Sequence, residues 1–161
     1  MKEPKWILLV EDDINIAELT KMALEAAELG CAVVVTHDGS EALDCLYHRG
    51  EFRGKDGHPP ILALLDLNMP KVNGLEVLRQ IKSDERLRAV PVVMFSSSRE
   101  ESDVARSYRL GANAYVVKPV GYTEFERAVR AVGQFWSSVN EPSPEYFPRG
   151  SEASDQRMVA R

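Results

Sequence analysis

Short apolar runs alternate with amphipathic stretches five times along the chain. The apolar runs cover 6–10, 32–36, 61–66, 92–95 and 114–118. Ile61-Leu62-Ala63-Leu64-Leu65 lacks polar alternation, the mark of a strand buried on both faces. The amphipathic stretches cover 14–28, 39–49, 74–83, 100–109 and 123–136 and are predicted to be helices. In the last, Phe125, Ala128, Val129, Val132 and Trp136 recur at helical spacing and predict one buried face. Asp38 with Glu41, Asn73 with Glu76, Ser98 with Glu101 and Thr123 with Glu126 have the spacing of helix-starting capping boxes. Gly30 and Gly111 stand where helices should end. Regular β/α alternation predicts an α/β fold, with parallel strands, right-handed crossovers and helices on both faces of one sheet.

Two segments break the rhythm. Residues 50–60 form a polar connector, longer than most loops of this kind. From Ser137 the chain turns polar and rich in Pro and Ser, too short for a second domain. Its first part, with Tyr146 and Phe147, is suited to pack on the domain or a partner. Its last ten or so residues are predicted to be disordered.

Composition narrows the function. Among 161 residues, 44% are hydrophobic and 28% charged, an ordinary globular balance. A net charge of -5 offers no electrostatic footprint for nucleic acid. No apolar stretch approaches the ~20 residues of a membrane span. The first residues lack the apolar segment of a secretory signal, so a cytoplasmic protein is expected. Cys31 and Cys45 have neither metal-site nor redox spacing and read as thiols of a reducing compartment.

The candidate chemistry gathers at strand ends. Glu11, Asp12 and Asp13 follow the first apolar run, and Asp66 closes the third. Ser96 follows the fourth, and Lys118 closes the fifth. Ligands of open α/β sheets bind at the carboxyl ends of strands. A carboxylate ending a buried strand is costly unless something pairs with it. If the first and third strands are neighbours, four carboxylates converge and repel, which calls for a small hard divalent cation. Asp13 is also the natural N-cap of the first helix.

ILLVEDD, LLDLNMPKVNG, PVVMFSS and GANAYVVKP, in this order and on these strand ends, resemble the receiver domain of two-component response regulators over about residues 5–136. The resemblance implies a (βα)5 doubly wound parallel five-stranded sheet of the flavodoxin/CheY-like type, in strand order 2-1-3-4-5. It implies a receiver domain over 1–136 and a C-terminal extension over 137–161. Asp66 would accept a phosphoryl group from a partner histidine kinase. Asp12, Asp66 and the backbone carbonyl of Asn68 would ligate Mg2+ (or Mn2+), and Glu11 would act through a bound water. Lys118 would face a phosphoryl oxygen, aimed by a cis Pro119. Ser96 would sense the phosphoryl group and Tyr115 would be its aromatic switch partner. Ser97 would keep the site open, while Asn68 and Ser98 sit where the family tunes dephosphorylation. Such a protein promotes its own phosphorylation and is not a conventional enzyme.

Within that family, YRLGANAYVVKPV, a helix ending in Trp136 and then Asn140-Glu141-Pro142 resemble single-domain regulators of phytochrome histidine kinases. This implies a phytochrome partner and a homodimer through helix 4, strand 5 and helix 5. Tyr115, Phe125, Val129, Val132 and Trp136 are the expected dimer face, with Phe135 adding to the apolar surplus. No output domain is expected in the tail. The alternative role is a phosphate sink or phosphorelay shuttle for a non-phytochrome kinase. Two other chemistries fit worse. A haloacid-dehalogenase-type phosphohydrolase needs an acid where Asn68 stands. A nucleotide or flavin domain needs a Gly-rich loop where Asp12, Asp13 and Ile14 stand. A pseudo-receiver would not keep the complete acceptor set.

Overall fold

In the computed structural model, residues 4–54 and 57–147 are described. Five parallel strands, β1 (Trp6–Val10), β2 (Ala32–Thr36), β3 (Leu62–Leu65), β4 (Val92–Ser96) and β5 (Ala114–Val117), form one sheet in the order β2-β1-β3-β4-β5. Helices α1 (Ile14–Ala26), α2 (Gly39–Leu46), α3 (Gly74–Ser83), α4 (Glu101–Arg109) and α5 (Tyr122–Gln134) connect and follow them. The fold class and strand order are those expected.

Burial follows position in the sheet. Central β3 and β4 are buried throughout, whereas the edge strands β2 and β5 are mostly half-exposed. Successive residues of a strand point to opposite faces. Leu8, Val10, Ala63 and Leu65 thus join Leu43 and Leu46 of α2 and Leu78 and Ile81 of α3. Ile7, Leu9, Leu62 and Leu64 join Leu24 of α1 and Phe125 and Val129 of α5. Helix α4 buries only Ser107.

Caps at Asp38 and Asn73 form as expected, each carboxylate or amide oxygen accepting from the backbone N–H of Glu41 or Glu76. Asp13 caps α1 by accepting from Asn15 and Ile16. Two expected caps differ. Helix α4 begins after Glu100 without a side-chain cap, and the Ser98 hydroxyl donates instead to the Asp103 carboxylate at 2.5 Å. Helix α5 begins one residue earlier than expected, with Gly121 at its cap, because Phe125 N–H already donates to the Gly121 carbonyl at 2.9 Å. Gly111, at φ +103, ends α4 in the left-handed conformation that glycine favours. Helix α1 stops at Ala26, short of the expected 28, and Gly30 (φ +68) lies in the turn beyond it.

Helix α5 runs on into a π-helical turn, Phe135–Val139. The chain then returns to the domain. The Tyr146 hydroxyl donates to the Glu85 carbonyl, and the Phe147 ring meets His58 edge-on at 5.2 Å. The first part of the tail therefore packs on its own domain. The expected disorder of the last ten residues falls outside the described residues. Cys31 and Cys45 form no disulfide, and no helix among the described residues is long and apolar enough to cross a membrane.

Candidate functional site

The sheet order makes β1 and β3 neighbours, with Val10 opposite Leu65. One residue further on, Glu11 and Asp66 stand at adjacent carboxyl ends. Their backbones are fixed by ladder bonds, Glu11 N–H to Thr36 at 3.0 Å and Asp66 N–H to Val10 at 3.0 Å. Oxygen atoms of Glu11, Asp12 and Asp66 lie within 4.8 Å of one another. Three carboxylates so arranged fit a hard divalent cation, which takes oxygen ligands. Asp13 instead turns to its capping role.

Lys118 answers the negative charge. Its backbone N–H donates to the Ser96 carbonyl at 2.8 Å, which holds the end of β5 against β4. Its ammonium reaches past β4 to within 3.4 Å of Asp66 Oδ2 and pairs with Glu11 Oε1. The stem places the charge 5.7 Å from the centre of the Phe95 ring. Lys118 and Glu11 are both buried, at 9% and 3% exposure. That burial pushes the Glu11 carboxyl up to about 7, with Lys118 opposing the rise and Asp66 adding to it. The Lys118–Pro119 bond is trans, not the expected cis, since no described peptide bond is cis. X–Pro bonds favour trans by a small margin. Lys118 points inward without the isomer because its backbone bond to Ser96 and its two carboxylate partners already fix its course.

The loop after β3 is shaped by two glycines that the sequence pattern did not single out. Asp66 Oδ1 accepts from the next N–H, that of Leu67, at 2.8 Å. A Cβ on Gly74 would fall 2.0 Å from the Asp66 carbonyl oxygen, so only glycine allows α3 to start there. A Cβ on Gly39 would fall 2.0 Å from the Val72 carbonyl oxygen. The signal was an Asx-Gly pair at each helix start, Asp38-Gly39 and Asn73-Gly74. Lys71, at φ +64, extends from the same loop to within 3.5 Å of the Asp38 carboxylate. Asn68 lies exposed in this loop.

Ser96 is buried at the end of β4, and its hydroxyl oxygen accepts from Ser98 N–H at 3.2 Å. The half-buried Tyr115 donates its hydroxyl to the Ser98 carbonyl at 2.8 Å. Both candidate switch residues thus hold the same short segment. The expected dimer face needs correction. Phe125 and Val129 are buried in the domain core, Phe125 packing 5.4 Å from Phe95. Val132 and Trp136 are half-buried against that core. The core thus takes Phe125 and Val129, while Val132 and Trp136 on the same stripe keep part of their surface exposed. The exposed large residues of α4 and α5 are Tyr108 and Tyr122, followed by Phe135.

An acidic cluster with a buried lysine counter-charge, at the carboxyl edge of a five-stranded parallel sheet, is the arrangement of a signalling receiver domain. Residues 7–130 match the response regulator receiver domain, and the chain belongs to that family. The probable methanogenesis regulatory protein FilR2 of Methanothrix harundinacea is 39% identical over 145 residues, covering 89% of this chain and 91% of that one. Response regulator Rcp1 of Synechocystis is 36% identical over 133 residues, covering 83% of this chain and 89% of that one. The Mn2+-bound form of Rcp1 has a similar structure, at TM-score 0.80 and 34% identity over 87% of this chain and 99% of that one. The phosphorylated cyanobacterial phytochrome response regulator RcpA gives TM-score 0.81 with 38% identity, over 87% of this chain and 99% of that one. The bacteriophytochrome response regulator RtBRR gives TM-score 0.71 with 49% identity, over 99% of this chain and 97% of that one.

Proposed function

We propose that Asp66 is the phosphoacceptor of a response regulator loaded by a histidine kinase, with a phytochrome as the donor. The observation that carries this reading is the Asp66 carboxylate, held beside Lys118 and within reach of Glu11 and Asp12. An Asp66 oxygen attacks phosphorus, the P–N bond of the donor phosphohistidine breaks, and the imidazole keeps the electron pair. The product is an acyl phosphate. Lys118 stabilises the charge on the transferred group and Ser96 donates to it. Asp12, Asp66 and the Asn68 carbonyl are the proposed direct ligands of Mg2+ or Mn2+, with Glu11 acting through water. The bound ion supplies positive charge that offsets the carboxylates and the phosphoryl oxygens.

The phytochrome donor is supported by the likeness to RcpA and RtBRR. Residues 1–136 would act as the receiver and 137–161 as an extension. The output would be the face of α4, β5 and α5, switched through Ser96 and Tyr115 and offered to a second copy or a protein partner. Tyr108 and Tyr122 supply exposed surface on those helices, and Phe135 adds to it directly after α5. The likeness to FilR2, whose name points away from light sensing, favours a second reading, a sink or shuttle for a non-phytochrome kinase. A small-molecule phosphodonor with Mg2+ should add one acid-labile phosphate, absent in Asp66→Asn. Phosphotransfer profiling then separates donors. Fast transfer from a phytochrome kinase supports the first reading, and preference for another kinase supports the second.

A further inference from the structure

A cavity of about 390 Å³ lies at the opposite pole of the sheet from Asp66. Trp6, which opens β1, Pro60, before β3, and Leu87, before β4, line it. Its volume falls in the range of small-molecule sites. Three aromatic side chains, Trp6, Tyr47 and Tyr146, contribute to its wall. Each has its polar end already engaged. The Trp6 indole N–H donates to the His58 carbonyl at 3.0 Å, the Tyr47 hydroxyl to Asp84 at 2.7 Å, and the Tyr146 hydroxyl to Glu85. What these rings have left to offer a ligand is their π surface.

The charge around the cavity is lopsided. Glu85 and Glu145 line it, are exposed, and form no ion pair among the described residues. Arg86 also lines it and is exposed, its backbone N–H donating to Asp84 Oδ1 at 2.7 Å, so the lining sets two carboxylates against one guanidinium. Outside the cavity, the Tyr47 ring already attracts one cation. The Arg49 guanidinium sits 5.0 Å from the centre of the Tyr47 ring, and Asp44 pairs with it at 3.3 Å. Aromatic faces beside unanswered carboxylates attract organic cations, the ring quadrupole and the charge acting together.

We propose that this cavity binds a small organic cation of the alkylated or quaternary ammonium class, and that the C-terminal segment completes the site. Glu145 and Tyr146 belong to that segment, and the Tyr146–Glu85 bond with the Phe147–His58 contact holds it in place. The site is independent of Asp66.

The test is a titration of the ¹⁵N-labelled full chain with benzyltrimethylammonium, following the Trp6 indole N–H, assigned with Trp136→Phe. A saturable shift is expected, with benzyl alcohol binding at least about threefold more weakly. Glu145→Gln should weaken the cation about threefold, and Tyr146→Ala by about fivefold or more. Asp66→Asn should bind as wild type does. A shift that does not saturate, equal binding of benzyl alcohol, or unchanged affinity in Tyr146→Ala would overturn the proposal.

Discussion

The imidazole Nδ1 of His37 lies 3.1 Å from the backbone carbonyl oxygen of Glu11. Strand β2 ends at Thr36, and the His37 N–H turns away to the Glu41 carboxylate at 2.9 Å. The ring N–H thus serves the carbonyl where the next ladder bond of β2 would have come. It fixes the peptide between Glu11 and Asp12. His37→Ala should weaken Mn2+ or Mg2+ binding by up to about tenfold, the lower range for groups that orient metal ligands. His37→Asn keeps a donor and should recover part of the loss. Calorimetric titration with each ion checks this, and thermal unfolding without metal should change little between the two variants.

Gly74 and Gly121 make a contrasting pair. A Cβ at Gly74 meets fixed backbone, the Asp66 carbonyl, at 2.0 Å, whereas at Gly121 it meets only the far end of the Glu124 side chain. Gly74→Ala should cost about 3 kcal/mol or more through forced backbone movement and should slow phosphorylation of Asp66. Gly121→Ala should stay within about 0.5 kcal/mol of wild type. Urea unfolding of both variants gives the comparison.

Tyr115→Phe removes the 2.8 Å bond to the Ser98 carbonyl while keeping the ring. The expected loss is about 1 kcal/mol. The more telling readout is local. Amide exchange in residues 97–100 should speed up while that of β1 and β3 stays unchanged.

Lys82 predicts a pH dependence. Its ammonium donates to the carbonyls of Arg88 and Val90 and to the Asn113 side chain, at 3.1, 2.8 and 3.0 Å. Burial pushes its pKa down from 10.5 to about 8. Below that value folded and unfolded chains both carry the proton. Between about 8 and 10.5 the folded chain releases it and the unfolded chain keeps it, so this group's contribution to stability rises with pH. The stability difference between wild type and Lys82→Met, followed by urea unfolding across that interval, should grow in favour of wild type. A flat difference would rule the effect out.

Much of this architecture was legible in the chain. Uninterrupted apolar runs mark β1, β3 and β4, because central parallel strands have no solvent face to accommodate polar residues. Asp38 and Asn73 announced their helices through local bonding that needs no tertiary context. Asp12, Asp66, Ser96 and Lys118 stood out because each ends a strand. The rest depended on distant contacts. Ser98 found a better acceptor in Asp103 than a helix N–H. The close approaches at Gly39 and Gly74 involve carbonyls many residues away or across a tight loop. The apolar surplus of α5 was misread because spacing gives the direction of a stripe but not how deep the sheet's cover must be. Nothing in the local sequence determines the Pro119 isomer or the destination of Tyr146.

Helix α4 buries one residue, Ser107, and that economy has an energetic consequence. Segments with few buried apolar contacts open at a small fraction of the global unfolding free energy. The domain therefore keeps a rigid centre in β1, β3 and β4 beside a loosely moored flank. Under the proposed function, a change of one or two charges at Asp66 would have only to outweigh the mooring of that flank, not the stability of the fold. Amide protection should accordingly be lower across α4 than across α3.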